Sequence, residues 1–222
     1  MSERASLSLN ELVWERVILG DLGGAFELLW GRADANGDEC LATRAELQAF
    51  CGNEEAALQL ASDVQDPGRA ASIRAAVAVA RGDWEAAHDL AAQSLAAHPA
   101  ARRTRSLLAR AEVELNDLGQ ALGRFAEIEA SSSPLGWDAQ LIRARAAADP
   151  DSSLAALAAR ARDEGAARVE AEAFAELGIR REAAGDEPGA RAAFVRAVEL
   201  WDDMLMTLPP PLRSGFWSAS LR

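Results

Sequence analysis

This 222-residue chain contains no lysine and no tyrosine, so all 23 of its basic residues are arginine. Histidine and cysteine occur twice each, and the formal net charge is −12. Nucleic acids are held chiefly by Lys and Arg that neutralise phosphates, so an acidic chain without Lys is not expected to bind them. The same charge argues against anionic membrane surfaces. It favours solubility and a partner that is basic or neutral. Every apolar run is broken well short of the roughly 18 residues that a spanning helix needs. No N-terminal stretch couples basic residues to an apolar run, so no secretory signal is expected and the cytoplasm is the expected compartment.

The scarce reactive residues do not form sets. Cys40 and Cys51 fall on one expected helix, about 16 Å apart at 1.5 Å per residue. A disulfide needs Cα atoms within about 7 Å, so both should be free, buried thiols. His88 and His98 have no Cys or His at metal-ligand spacing. The stretch Asp34-Ala35-Asn36-Gly37-Asp38 is rich in oxygen ligands, but a calcium loop needs Gly in sixth place and Glu in twelfth. Those places hold Glu39 and Ala45, so an ordinary turn is expected. There is no Gly-rich phosphate loop and no serine nucleophile elbow. These absences point to a chain with no cofactor, no metal and no catalytic set.

What is present is a recurring phrase. Leu19-Gly20-Asp21 is followed by Ala25, and Cys51-Gly52-Asn53 by Ala57. Arg81-Gly82-Asp83-Trp84 precedes Ala87, Leu115-Asn116-Asp117 precedes Ala121, and Ala184-Gly185-Asp186 precedes Ala190. The anchors at 20, 52, 82, 116 and 185 lie 32, 30, 34 and 69 residues apart, the last gap holding an unmarked copy near Asp149-Pro150. A period in the thirties signifies stacked supersecondary units.

Each unit reads as two helices meeting at the phrase. Gly82 suits the left-handed end of a helix over 69–81. Asp83 can cap the next helix, in which Trp84, Ala87, Leu90, Ala91 and Leu95 recur at helical steps. His98-Pro99 ends it. In the fifth unit Asp149 and Pro150 open a helix carrying Leu154 and Leu157.

This pattern resembles the tetratricopeptide repeat over about residues 6–206. Ala75, Gly82-Asp83-Trp84, Ala87, Ser94 and Pro99 carry the resemblance in the third unit. Leu177-Gly178, Gly185-Asp186, Ala190, Phe194 and Ala197 carry it in the sixth. The second unit is short, and the fifth lacks the Gly turn. The resemblance implies an all-α, right-handed solenoid of about six helical hairpins over 1–207, with a capping tail at 208–222.

The resemblance further implies a concave face lined by the first helix of each unit. Its inward candidates are Asn10, Trp14, Glu46, Ser72, Ile73, Arg110, Trp137, Gln140 and Ile179. Trp14 and Trp137 can either pack between repeats or anchor a bound segment. Arg110 is the one good inward cation, so a carboxylate clamp is not expected. The expected function is a non-catalytic scaffold that holds a peptide, helix or domain. In the tail, Leu208-Pro209-Pro210-Pro211 cannot be helical throughout. Phe216 and Trp217 can cap the last unit or dock a partner. This tail resembles the end of helical-repeat regions in large bacterial signalling proteins, both kinases and transcriptional regulators. An alternative is therefore a regulatory segment whose catalytic part lies elsewhere in a longer polypeptide.

Overall fold

The computed structural model describes residues 8–30, 37–129, 136–210 and 213, without the side chains of 118 and 125–129. The described residues form twelve α-helices and no strand. They are α1 (Leu9–Ile18), α2 (Leu22–Trp30), α3 (Asp38–Phe50), α4 (Glu54–Asp63), α5 (Pro67–Arg81) and α6 (Trp84–Ala97). Then follow α7 (Arg102–Glu114), α8 (Leu118–Glu129), α9 (Gly136–Arg145), α10 (Pro150–Asp163), α11 (Ala167–Ala183) and α12 (Glu187–Thr207). The fold is all-α, and no described helix is long and apolar enough to cross a membrane.

The recurring phrase marks hairpin corners because its chemistry is local. Gly20, Gly52, Gly82, Asn116 and Gly185 all have positive φ, the left-handed conformation that closes a helix. The amides of Asp21, Asp83, Asp117 and Asp186 donate to Arg16, Ala78, Glu112 and Arg181 carbonyls at 2.7–2.9 Å. The Asp carboxylates of the same four residues then accept an amide of the next helix's first turn, from Gly24, Ala86, Gln120 and Gly189. Asn53 makes no such cap. Ala25, Ala57, Ala87, Ala121 and Ala190, five residues after each anchor, are all buried. A small side chain there lets the two helices of a hairpin approach closely.

The fifth corner, between α9 and α10, has no left-handed residue. Asp149 caps α10 through the Ser152 amide, with Pro150 opening the helix. Gly165, which the phrase does not mark, takes positive φ between α10 and α11 instead.

The hairpins form two layers. The odd-numbered helices pack on one another in sequence, α1 on α3, α3 on α5, and so on to α11. Helices α3, α5 and α7 bury most of their residues; α3 buries nine of its 13. The even-numbered helices lie outside them. Helix α4 buries only Ala57 and Ala61.

An open solenoid would leave its first and last hairpins apart. Here they meet: α1 packs on α11 and α2 on α12. One apolar cluster joins Val13, Trp14, Val17, Leu22, Phe26 and Leu29 to Ala171, Leu200, Met204, Leu205 and Leu208. The Gly23 amide donates to Thr207 Oγ1 at 3.2 Å across the same seam. The six inner helices thus close into a ring, and the surface expected to be concave and open faces its own centre. The tail candidates Phe216 and Trp217 lie outside the described residues.

The closure generates a prediction. A Cβ on Gly82 meets only Trp84 Cζ2, at 4.0 Å, so Gly82→Ala should cost about 1 kcal/mol for its positive φ alone. A Cβ on Gly20 would lie 2.9 Å from Met204 Cγ and 3.0 Å from Ala167 Cβ, atoms of the far end of the chain. Gly20→Ala should therefore lose roughly 1–3 kcal/mol more in urea denaturation. Equal losses would mean that the ends do not meet.

Candidate functional site: a polar belt and the mouth of the ring

Each inner helix contributes one or two polar side chains to a belt in its N-terminal or middle turns. These are Asn10 of α1, Thr43 and Glu46 of α3, Ser72 of α5, Thr104 and Ser106 of α7, Asp138 of α9 and Arg168 of α11. They join neighbour to neighbour. The Asn10 amide donates to Thr43 Oγ1 at 3.1 Å and to Glu46 Oε2 at 3.2 Å. Ser72 Oγ donates to Glu46 Oε1 at 2.7 Å and pairs with Thr104 Oγ1 at 2.9 Å. Ser106 Oγ donates to Asp138 Oδ2 at 2.7 Å, and Arg168 donates to Asp138 Oδ1 and to Glu172. Across the ring, Arg102 of α7 donates to Glu11 of α1.

The belt is buried, and burial sets its electrostatics. Burial favours the neutral form of Asp138, but Arg168 and Arg103 outweigh it and hold the carboxyl below its ordinary range. Burial likewise opposes the Arg168 charge, and Asp138 and Glu172 overcome it, so its guanidinium is held more firmly charged than usual. Arg103 is different. Its side chain is 14% exposed, and its nearest carboxylate oxygen is Asp138 Oδ2, at 4.0 Å. Burial dominates and pulls it down to about 10, partly offset by Asp138 and Glu46. Its guanidinium lies 3.7 Å from the centre of the Trp14 ring. Its Nε is buried with no hydrogen-bond partner among the described residues.

A cavity of about 680 Å³ opens at this end of the ring, between the N-terminal ends of α1, α3, α5 and α7. Arg69, Arg102, Arg103, Glu11, Glu39 and Glu46 supply its charge, and the end of α6 with His98 forms part of its wall. His98 Nε2 sits 2.9 Å from both Asp66 oxygens, and this bond is the chief reason that the Asp66 carboxyl lies below its usual range. Nearer the other end of the inner helices, Arg145 donates to Glu114 at 2.9 Å and lies 3.3 Å from Glu176. Burial raises the Glu176 carboxyl, with Arg145 opposing.

The residues expected to line an open groove are thus scattered. Trp14 and Ile73 are buried in the apolar core. Glu46 and Ser72 are buried belt members, and Asn10 is half-buried beside them. A partner's segment laid along the inner helices would not reach Trp14 or Ile73, because the closed ring covers them. Trp137 is half-buried and stacks under the Arg160 guanidinium at 4.9 Å, a packing role at a seam. Gln140 is half-buried with an unpartnered Oε1. Arg110 and Ile179 are exposed. Arg110 acts electrostatically on Arg103 and on Glu176, and the more buried cations beside it are Arg103 and Arg168. Arg103 stands between Arg102 and Thr104, and Arg168 between Ala167 and Val169, with no local pattern to single either out. The signal available in the sequence was the spacing of Asn10, Thr43, Ser72, Ser106, Asp138 and Arg168, which follows the repeat period.

Among the described residues no cluster of His, Cys, Asp and Glu is arranged to hold a metal ion. Burial pushes the Cys51 thiol up to about 12, so it stays protonated and poorly nucleophilic. Comparison with protein-family models, characterised proteins and solved structures gives no match.

The belt predicts an acid sensitivity. A carboxyl with a depressed folded pKa supplies stability that is complete above its unfolded value, near 3.8 for Asp, and is lost as pH falls through the lower folded value. Asp138→Asn should cost about 3–5 kcal/mol at neutral pH, because Arg168 is left buried without its main partner. It should also remove part of the stability loss seen below pH 4 in urea titrations.

Proposed function

We propose that this chain is a non-catalytic interaction module built from tetratricopeptide-like hairpins, and that it receives a protein partner at the mouth of the ring. The observation carrying this reading is the cavity between the N-terminal ends of α1, α3, α5 and α7, where charged side chains converge on an otherwise self-paired interior. The hairpin corners and the small residues behind them support the repeat assignment. The protonated, buried Cys51 thiol and the mutual pairing of the belt's polar groups support a binding role over a chemical one. A cytoplasmic setting and a basic or neutral partner fit the chain's acidic charge.

Peptide display against the purified chain tests the reading. Selected peptides should share a motif and lose about tenfold or more in affinity on Arg69→Glu or Arg102→Ala, as expected when charge-assisted contacts are removed. Val195→Glu, on the exposed outer face of α12, should leave them unchanged. Binders indifferent to the mouth variants would refute the assignment.

A further inference from the structure

The belt hydrogen-bonds its members to one another, but two charged groups at one cavity, Glu46 in the belt and Arg103 beside it, have no counter-charge at hydrogen-bond distance. Arg103 donates no hydrogen bond to any described residue and has only the 4.0 Å approach of Asp138. Glu46 is 4% exposed, yet its carboxylate accepts only from the neutral donors Asn10 and Ser72. No described cation lies within 4 Å of it. A buried charge left without a hydrogen-bonded counter-charge is costly and calls for a compensating group. Both residues line the same mouth. The first turn of α7, which carries Arg103, also has no side-chain cap to occupy its amides.

The balance of charge selects the compensating group. The mouth holds Arg69, Arg102 and Arg103 against Glu11, Glu39 and Glu46, with His98 engaged by Asp66 at its wall and Asp138 behind Arg103. Arg102 and Glu11 neutralise each other. A simple anion would gain Arg103 and Arg69 but meet Glu46 and Glu39. A simple cation would gain the carboxylates but meet the guanidiniums. A molecule bearing both signs satisfies the whole set.

We propose that the mouth cavity binds a small zwitterion of the amino-acid type, its carboxylate on Arg103 and the uncapped start of α7, its ammonium on Glu46. The guanidinium rests 3.7 Å over the Trp14 ring, which holds it in place to offer its fork to a planar carboxylate. The cavity's 680 Å³ exceeds what the two charged groups need, so side chains of varied size fit beside them. This proposal uses the same mouth as the protein-partner reading, but its test is separate, since titration with free amino acids can succeed or fail whatever peptide display returns.

Calorimetric titration of the full chain with L-alanine and L-glutamine tests it, against sodium acetate and methylammonium chloride at matched ionic strength. The amino acids should bind saturably, and the single-charge probes should bind about tenfold or more weakly. Glu46→Gln should weaken the amino acids by a similar factor. Arg103→Met should abolish binding while leaving thermal stability equal or higher, because a buried charge held for a ligand is relieved by an apolar replacement. Arg103→Lys keeps the charge but loses the fork, and it should bind about tenfold more weakly than the parent chain. No saturable amino-acid binding, acetate as tight as alanine, or an Arg103→Met chain that unfolds would each overturn the proposal. The last outcome would make the guanidinium a structural strut.

Discussion

The packing of the first hairpin on the last governs everything else in this molecule. Six hairpins in a row could end in two exposed apolar faces, each needing a cap. Here each end caps the other. Val13, Leu22 and Leu29 from one end share a cluster with Met204, Leu205 and Leu208 from the other. A large aliphatic side chain fully buried this way contributes roughly 1.5–3 kcal/mol. The closure also decides what the inner helices must do. A surface that would be wet in an open array becomes interior, so its polar residues must find one another.

They do so by relay. Asn10, Glu46, Ser72, Thr104, Ser106, Asp138 and Arg168 hand hydrogen bonds from helix to helix. Hydroxyls carry most of the α3-to-α7 half, and charges carry the α7-to-α11 half. Buried ion pairs are weak sources of net stability, but breaking one is expensive. The belt therefore acts more to fix register around the ring than to strengthen it. Arg103 and Glu46 stand where the two halves meet at the mouth, attracted to each other but without a hydrogen bond between them.

The sequence made the corners legible because a helix end is decided within a few residues. Positive φ at Gly82 and the cap from Asp83 need nothing from the rest of the chain, and Ala87 five residues on is buried as its position demands. The pairing of Gly20 with Met204 was not legible. It depends on the summed curvature of six hairpins, which no local pattern encodes. The site suffered from the same gap. Trp14 and Ile73 lie on inner helices, but whether that side is groove or core turns on closure. The repeat register singles out Arg110, whereas Arg103 lies among Arg102 and Arg105 and falls at no marked position. Burial, not residue type, separates the cation that matters from those that are solvated.

Small-angle X-ray scattering of the purified monomer addresses the closure most directly. A closed ring of 222 residues should scatter as a compact particle, with a radius of gyration near the roughly 17 Å of a globular chain this long. An elongated particle above about 20 Å, with the broad distance distribution of a crescent, would contradict the ring and return the inner helices to an open groove.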